Sequence, residues 1–186
     1  MKNLTAFFTH AGFQGDALKQ ILDSFISKEV KKGGFFIEEG QISNHLGFVE
    51  KGLFQYYLLV DGEEKTTYTT TEGNLLASLV SLFKQTPARE GIRAVKNSKI
   101  YLLSKKAIQE LQNEVPGFKD FYIGLLEYQI GCIDDTRMDA IALTATHRYE
   151  KLLQDEPELL QQVPLKYIAS ILGVSERHLS RIRKEV

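Results

Sequence analysis

The stretch LKYIASILGVSERHLSRIRKE, Leu165 to Glu185, decides the reading of this chain. Ile168, Ala169 and Leu172 fall on one helical face, and Gly173 then supplies the left-handed residue that ends a helix. Val174 is apolar and can plug the turn. Ser175 can cap a following helix by accepting from an otherwise unpaired N–H. Leu179 and Ile182, continued by Val186, form the inner stripe of that second helix. Ala169 is small where two helices joined by a tight turn approach most closely. Two short helices with this turn predict a helix-turn-helix, whose second helix enters the DNA major groove.

The outward face of the second helix agrees. Arg177, Arg181 and Lys184 lie at i, i+4 and i+7 and project together, with Glu176 and Ser180 beside them and Arg183 flanking. Between Lys166 and Lys184 stand five basic residues and one acid, Glu176, in a chain whose net charge is −1. Arginine reads guanine in bidentate fashion, glutamate accepts from cytosine, and Arg183 and Lys184 suit phosphates. The competing reading of spacing alone is a solvated amphipathic helix pair. The small residue, turn glycine, plug, cap and basic face together favour the DNA reader.

Working back, Ile141 to Leu153 begins a helix, and Glu156-Pro157 and Val163-Pro164 bracket short helical pieces. Phe118 to about Ala140 reads as one long helix with an apolar stripe of Phe118, Phe121, Tyr122, Leu125, Leu126, Ile130 and Ile133, wide enough for more than one partner. Lys105 to Val115 is a short helix ended by Pro116-Gly117. From about 28 to 104 short β-prone runs are punctuated by glycines. Asp61-Gly62, between Leu53–Val60 and Lys65–Thr71, predicts a hairpin. Leu75 to Lys84 interrupts the strands as a short helix. Many short strands with regular turns predict a barrel, sandwich or roll. Residues 1 to 27 read as helical, with Asp16 as cap and Leu18, Ile21, Leu22, Phe25 and Ile26 at helix spacing.

The 186 residues suffice for one large or two small domains. A 43% hydrophobic and 25% charged composition is that of a folded soluble protein. The single cysteine, Cys132, excludes an intramolecular disulfide and a four-cysteine iron-sulfur cluster. It lies in the long helix, where packing at a dimer seam is its expected role, with redox sensing the alternative. The polar N-terminus and the lack of a bilayer-length apolar run predict a cytoplasmic chain with no membrane partner. His10, His45, His147 and His178 lack metal-ligand spacing. No phosphate loop, nucleophile elbow or Ser/His/Asp arrangement suggests an enzyme. Glu38-Glu39, Glu63-Glu64 and Asp134-Asp135 read as solvated pairs.

With these elements in order, the sequence resembles the Crp/Fnr family of bacterial regulators over nearly its whole length. The match is most local in ASILGVSERHLSRIRK, and the length and style look like those common in Bacteroidetes. The resemblance implies an α+β chain. Residues 1–116 would form a double-stranded β-roll of the cyclic-nucleotide-binding type with flanking helices. Residues 117–140 would form a dimerisation helix and 141–186 a helix-turn-helix domain. It implies a homodimeric transcription regulator on palindromic double-stranded DNA, with RNA polymerase and an unidentified small-molecule effector as further partners. Base readout would fall to Glu176, Arg177 and Arg181, so the DNA-binding residues are Ser175, Glu176, Arg177, Ser180, Arg181 and Lys184. The alternative is a ligand-binding sensor whose helical tail contacts protein. A cupin-like metalloenzyme would need clustered His and Glu on strands, and only His45 sits near them.

Two departures stand out. The family's phosphate cassette has a Gly-Glu pair that holds the ribose, followed by an Arg-Ser or Arg-Thr pair that holds the cyclic phosphate. In GNLLASLVSLFKQTPAREGIRA, Gly73 to Ala94, Ala77-Ser78 and Ala88-Arg89 stand in those places. Ser78 is no carboxylate, and Arg89 is one place late, which on a strand turns it to the other face. The cassette therefore speaks against cyclic AMP, and Ser78 and Arg89 remain the candidate effector-binding residues. Arg89 or Arg93 could serve as a surface charge, a structural ion pair or an anchor for another anion. The family's usual wing would also lie beyond Val186, leaving fewer phosphate contacts.

Overall fold

A computed structural model describes residues 1–186, the side chain of Glu158 excepted. The chain opens with α1 (Lys2–His10) and α2 (Gly15–Asp23), then enters β1 (Ile26–Val30), β2 (Phe35–Ile37), β3 (His45–Lys51), β4 (Leu53–Val60), β5 (Glu63–Thr71) and β6 (Leu75–Leu76). Helix α3 (Leu79–Lys84) precedes β7 (Gly91–Ala94) and β8 (Ser98–Ser104). The remainder is helical: α4 (Lys105–Glu114), α5 (Phe118–Ala142), α6 (Ala145–Asp155), α7 (Pro157–Gln162), α8 (Leu165–Ile171) and α9 (Glu176–Glu185). No described helix is long and apolar enough to cross a membrane.

The strands form two four-stranded antiparallel sheets, β1-β8-β3-β6 and β2-β7-β4-β5, as the β-roll reading expects. The predicted hairpin is present. Asp61 (φ 52°) and Gly62 (φ 81°) are both left-handed, the geometry whose twist matches a two-residue hairpin between β4 and β5.

Three apolar clusters hold the molecule. The roll interior packs Val49, Phe54, Tyr56, Leu76, Ile92 and Ile100 between the sheets. Outside the β1-β8-β3-β6 sheet, Phe48, Tyr101 and Leu103 meet Leu4 and Phe8 of α1, Ile21 of α2, Ile108 and Leu111 of α4, and Phe118 at the start of α5. The third joins Tyr149, Val163, Ile168, Ala169, Leu172, Leu179 and Ile182 of the C-terminal helices to Leu53 of β4.

That third cluster explains β4. Leu53 to Tyr57 are buried without alternation, because both faces of that half-strand are covered. Phe54 and Tyr56 face the roll interior. Leu53 enters the core of the C-terminal helices. Gln55, 1% exposed, donates from Nε2 to Thr66 Oγ1 (2.9 Å) and accepts from Arg93 Nη2 (3.1 Å). Arg93 in turn makes a two-pronged pair with Glu64 (2.9 and 2.5 Å) and lies over the Tyr57 ring. Of the alternatives for Arg93, the structural ion pair is the one formed.

The N-terminal region differs from its sequence reading. The expected single helical stretch is two helices broken at residues 11–14. Gln14, not Asp16, is the cap of α2, and Ile26 is 69% exposed as the first residue of β1. The pairing of β1 with β8 overrides the helical spacing of Phe25 and Ile26. Helix α5 extends to Ala142, and Thr144 caps α6 by accepting from the His147 amide (3.3 Å).

Glu50 of β3 caps α1 from a distance, accepting from the amides of Asn3 and Leu4 (both 3.1 Å) and pairing with the Met1 amino group (2.9 Å). Burial alone would raise its carboxyl pKa, but these donors outweigh burial and hold it below the usual carboxylate range. A depressed carboxyl contributes stability that is present above its unfolded pKa and is lost as pH falls through its folded pKa. The urea midpoint is expected to fall on acidification below the ordinary carboxylate range, and less steeply in Glu50→Gln. Leu53→Ala is expected to cost about 2–5 kcal/mol and to speed amide hydrogen exchange in α8 and α9 more than in β3 and β8.

Candidate nucleic-acid interface

The local chemistry of Leu165 to Glu185 produces the expected bihelical turn. Gly173 (φ 69°) follows α8, with its N–H donating to Ser170 O (3.0 Å) while Val174 N–H donates to Ala169 O (2.9 Å). These two bonds satisfy carbonyls at the helix end. Ser175 Oγ accepts from the His178 amide (3.2 Å) and starts α9. Ala169, Leu179 and Ile182 are buried, and Val174 packs against them. Val186 is 52% exposed and does not continue the stripe.

Ser175, Glu176, Arg177, Ser180, Arg181 and Lys184 are all exposed along α9. Among the described residues, Arg177, Arg181 and Lys184 make no ion pair, so their charges face solvent unneutralised. Glu176 lies in the first turn and Arg183 and Lys184 in the last, each with the sign that the helix dipole favours. Ser175 spends its hydroxyl on the cap, so one lone pair fewer is available to a ligand.

The residues that hold this pair of helices in place escaped the sequence reading. Arg148 of α6 donates to Ala140 O near the end of α5 (3.0 Å) and to Leu172 O at the end of α8 (2.6 Å). It thereby bridges the carbonyl ends of two helices, where a cation is favoured. Lys151 pairs with Asp139 (2.6 Å), again tying α6 to α5. Ser170 Oγ accepts from Thr66 N–H (2.7 Å) and donates to Thr66 O (3.2 Å). β5 is an edge strand, and Ser170 satisfies the donor and acceptor that Thr66 would otherwise leave open. No local pattern marks these residues, since each acts across a distance in sequence.

In the sensor cassette Ser78 is buried at 2% exposure, whereas Arg89 is exposed next to the inward Ala88. The group that meets Ser78 is Glu90. Burial pushes its carboxyl pKa up, and the nearby Ser78 hydroxyl opposes this in part. The Ala77 amide donates to the buried Tyr56 hydroxyl (3.1 Å). Tyr56 and Glu90 are the cassette residues that sequence comparison with the family pattern passed over. A carboxyl rather than a guanidinium thus lies beside Ser78.

Residues 27–114 match the family model of the cyclic nucleotide-binding domain. The fold resembles that of solved regulators. The Catabolite Activator Protein of Thermus thermophilus is 19% identical, with 94% of this chain and 84% of that one covered and a TM-score of 0.60. FixK2 of Bradyrhizobium japonicum is 14% identical over 87% of this chain and 83% of that one, at 0.74. A structure described as a transcriptional regulator of the Crp/Fnr family from Eubacterium rectale is 17% identical over 94% and 84%, at 0.65. No curated protein matches the chain.

Removing the cap or the turn glycine is expected to loosen α9 alone. Ser175→Ala is expected to cost about 1 kcal/mol and Gly173→Ala about 1 kcal/mol, read as lowered urea midpoints by circular dichroism. Arg148→Ala is expected to cost about 1.5–3 kcal/mol, because it orphans two carbonyls at once.

Proposed function

We propose, from the match of residues 27–114 to a cyclic nucleotide-binding domain and the resemblance of the fold to solved transcription regulators, a cytoplasmic, non-enzymatic, homodimeric regulator that binds palindromic double-stranded DNA. The observation that carries this reading is α9. It presents Glu176, Arg177, Ser180, Arg181 and Lys184 to solvent on a helix whose opposite face is locked into a core. Arg177 and Arg181 read base edges, Glu176 accepts from a cytosine amino group, and Lys184 with Arg183 neutralises phosphates.

Helix α5 supports the dimer. Phe118, Phe121 and Tyr122 pack on the sensor, but Ile123 (43% exposed), Ile130 (66%) and Ile133 (52%) are open to solvent, with half-buried Leu126 among them. Ile123, Leu126, Ile130 and Ile133 are spaced three, four and three apart, the seam of a two-helix coiled coil. Its occupant in this reading is α5 of a second copy. Two reader helices are then held about one DNA turn apart, and packing of the roll on α5 sets their separation. RNA polymerase and a small-molecule effector are the further partners this reading assigns.

Selection of bound sequences from a random duplex pool is expected to return a palindrome. Arg181→Ala is expected to weaken binding to it by about 1–3 kcal/mol and relax preference at one position of each half-site. Lys184→Ala is expected to weaken all duplexes alike and flatten the salt dependence. Loss of no affinity in either variant, or absence of any shift with mixed DNA at low salt, would instead identify a protein-contacting tail. Ile130→Asp is expected to convert the dimer to a monomer by analytical ultracentrifugation.

A further inference from the structure

At one end of the β-roll, β1, β2 and β8 meet the loop of residues 38–44 around a cavity of about 280 Å³. Its apolar wall is Phe36, Ile37 and Leu102. Ile37 belongs to the roll core, and Phe36 and Leu102 pack against it. Its polar side is Lys28, Asn44 and His45. Neither Ser78 nor Arg89 lines it, so it is separate from the cassette.

Lys28 is the charged side chain of this lining. His45 is held below the ordinary histidine pKa by burial first and by the Lys28 ammonium second, so the two basic groups feel one another. Among the described residues, neither forms an ion pair and the His45 ring has no hydrogen-bond partner. Gln41, which also lines the cavity, is turned onto Glu38. Asn44 Nδ2 makes only a long bond to Ile42 O (3.4 Å). The Lys28 ammonium, beside free amide capacity and an uncharged His45 ring that can still donate a hydrogen bond, attracts an anion, and the wall beneath attracts an apolar body. The volume lies just under the roughly 300–1,000 Å³ of pockets for drug-sized ligands, which limits the guest to one short chain or ring.

We propose that this mouth of the roll is a binding site for a small amphipathic carboxylate. Its head pairs with Lys28 and accepts from Asn44 and His45, and its tail lies on Phe36, Ile37 and Leu102. An ammonium in place of the carboxylate meets Lys28 as a like charge and is rejected. A carboxylate without a tail gains no apolar burial and binds weakly.

The test is isothermal titration calorimetry of the full chain, without DNA, against octanoate, octylammonium and acetate. The result is therefore independent of the regulator reading. Octanoate is expected to bind, to exceed both other probes by about tenfold or more, and to shift the His45 ring resonances. Lys28→Gln, at an exposed position that the fold tolerates, is expected to weaken octanoate about tenfold. Lys19→Gln on α2, outside the cavity, is expected to leave it unchanged. No octanoate binding at millimolar concentration, equal binding of octylammonium, undiminished affinity in Lys28→Gln, or an unmoved His45 signal would each overturn the site.

Discussion

The arrangement of this molecule depends on the seam between the outer face of β4–β5 and the helix α8. Leu53 is a strand residue by sequence and a member of the core of the C-terminal helices by position. Ser170 closes the same seam from the other side, taking both the donor and the acceptor of Thr66 on the sheet edge. Apolar burial supplies the attraction, and the paired backbone groups fix the register, because a shift along the strand would leave them unsatisfied. Behind Thr66 the chain of Gln55, Arg93 and Glu64 keeps the polar groups of the sheet face partnered. A sheet face that would otherwise be solvated is thereby covered by the element that presents α9.

Helix α5 is the second constraint. Its first turn belongs to the aromatic cluster with α1, α2 and α4, while its later turns carry apolar side chains with nothing of this chain over them. Arg148 and Lys151 fasten α6 to its far end. The N-terminal aromatic cluster holds one end of α5 and the C-terminal helices are fastened to the other.

The cassette and the mouth of the roll divide the sensor's chemistry. A buried serine against a carboxyl, with the neighbouring amide occupied by Tyr56, offers little to a phosphate. The mouth offers a cation instead, the Lys28 ammonium, beside the His45 ring and an apolar wall. A roll of one topology can therefore present different ligand chemistry at different openings, since its strands alternate inward and outward residues along their whole length.

The sequence by itself determined the parts of this protein whose physics is local. The turn from Ala169 through Ser175, the hairpin at Asp61-Gly62, the end of α4 at Pro116-Gly117 and the solvent-facing row on α9 are set by backbone preference, capping and helix spacing within a few residues. They were legible for that reason. Only the tertiary structure decided what depends on distant partners. Phe25 and Ile26 have helix spacing, yet β8 draws Ile26 into a strand. Val186 has the spacing of the inner stripe, yet no core lies beneath it. Leu53, Ser170 and Arg148 have ordinary local contexts and gain their roles from groups that chain folding brings to them. Hydrogen-bond satisfaction and burial are properties of neighbours in space, and a linear pattern encodes those only where neighbours in space are also neighbours in sequence.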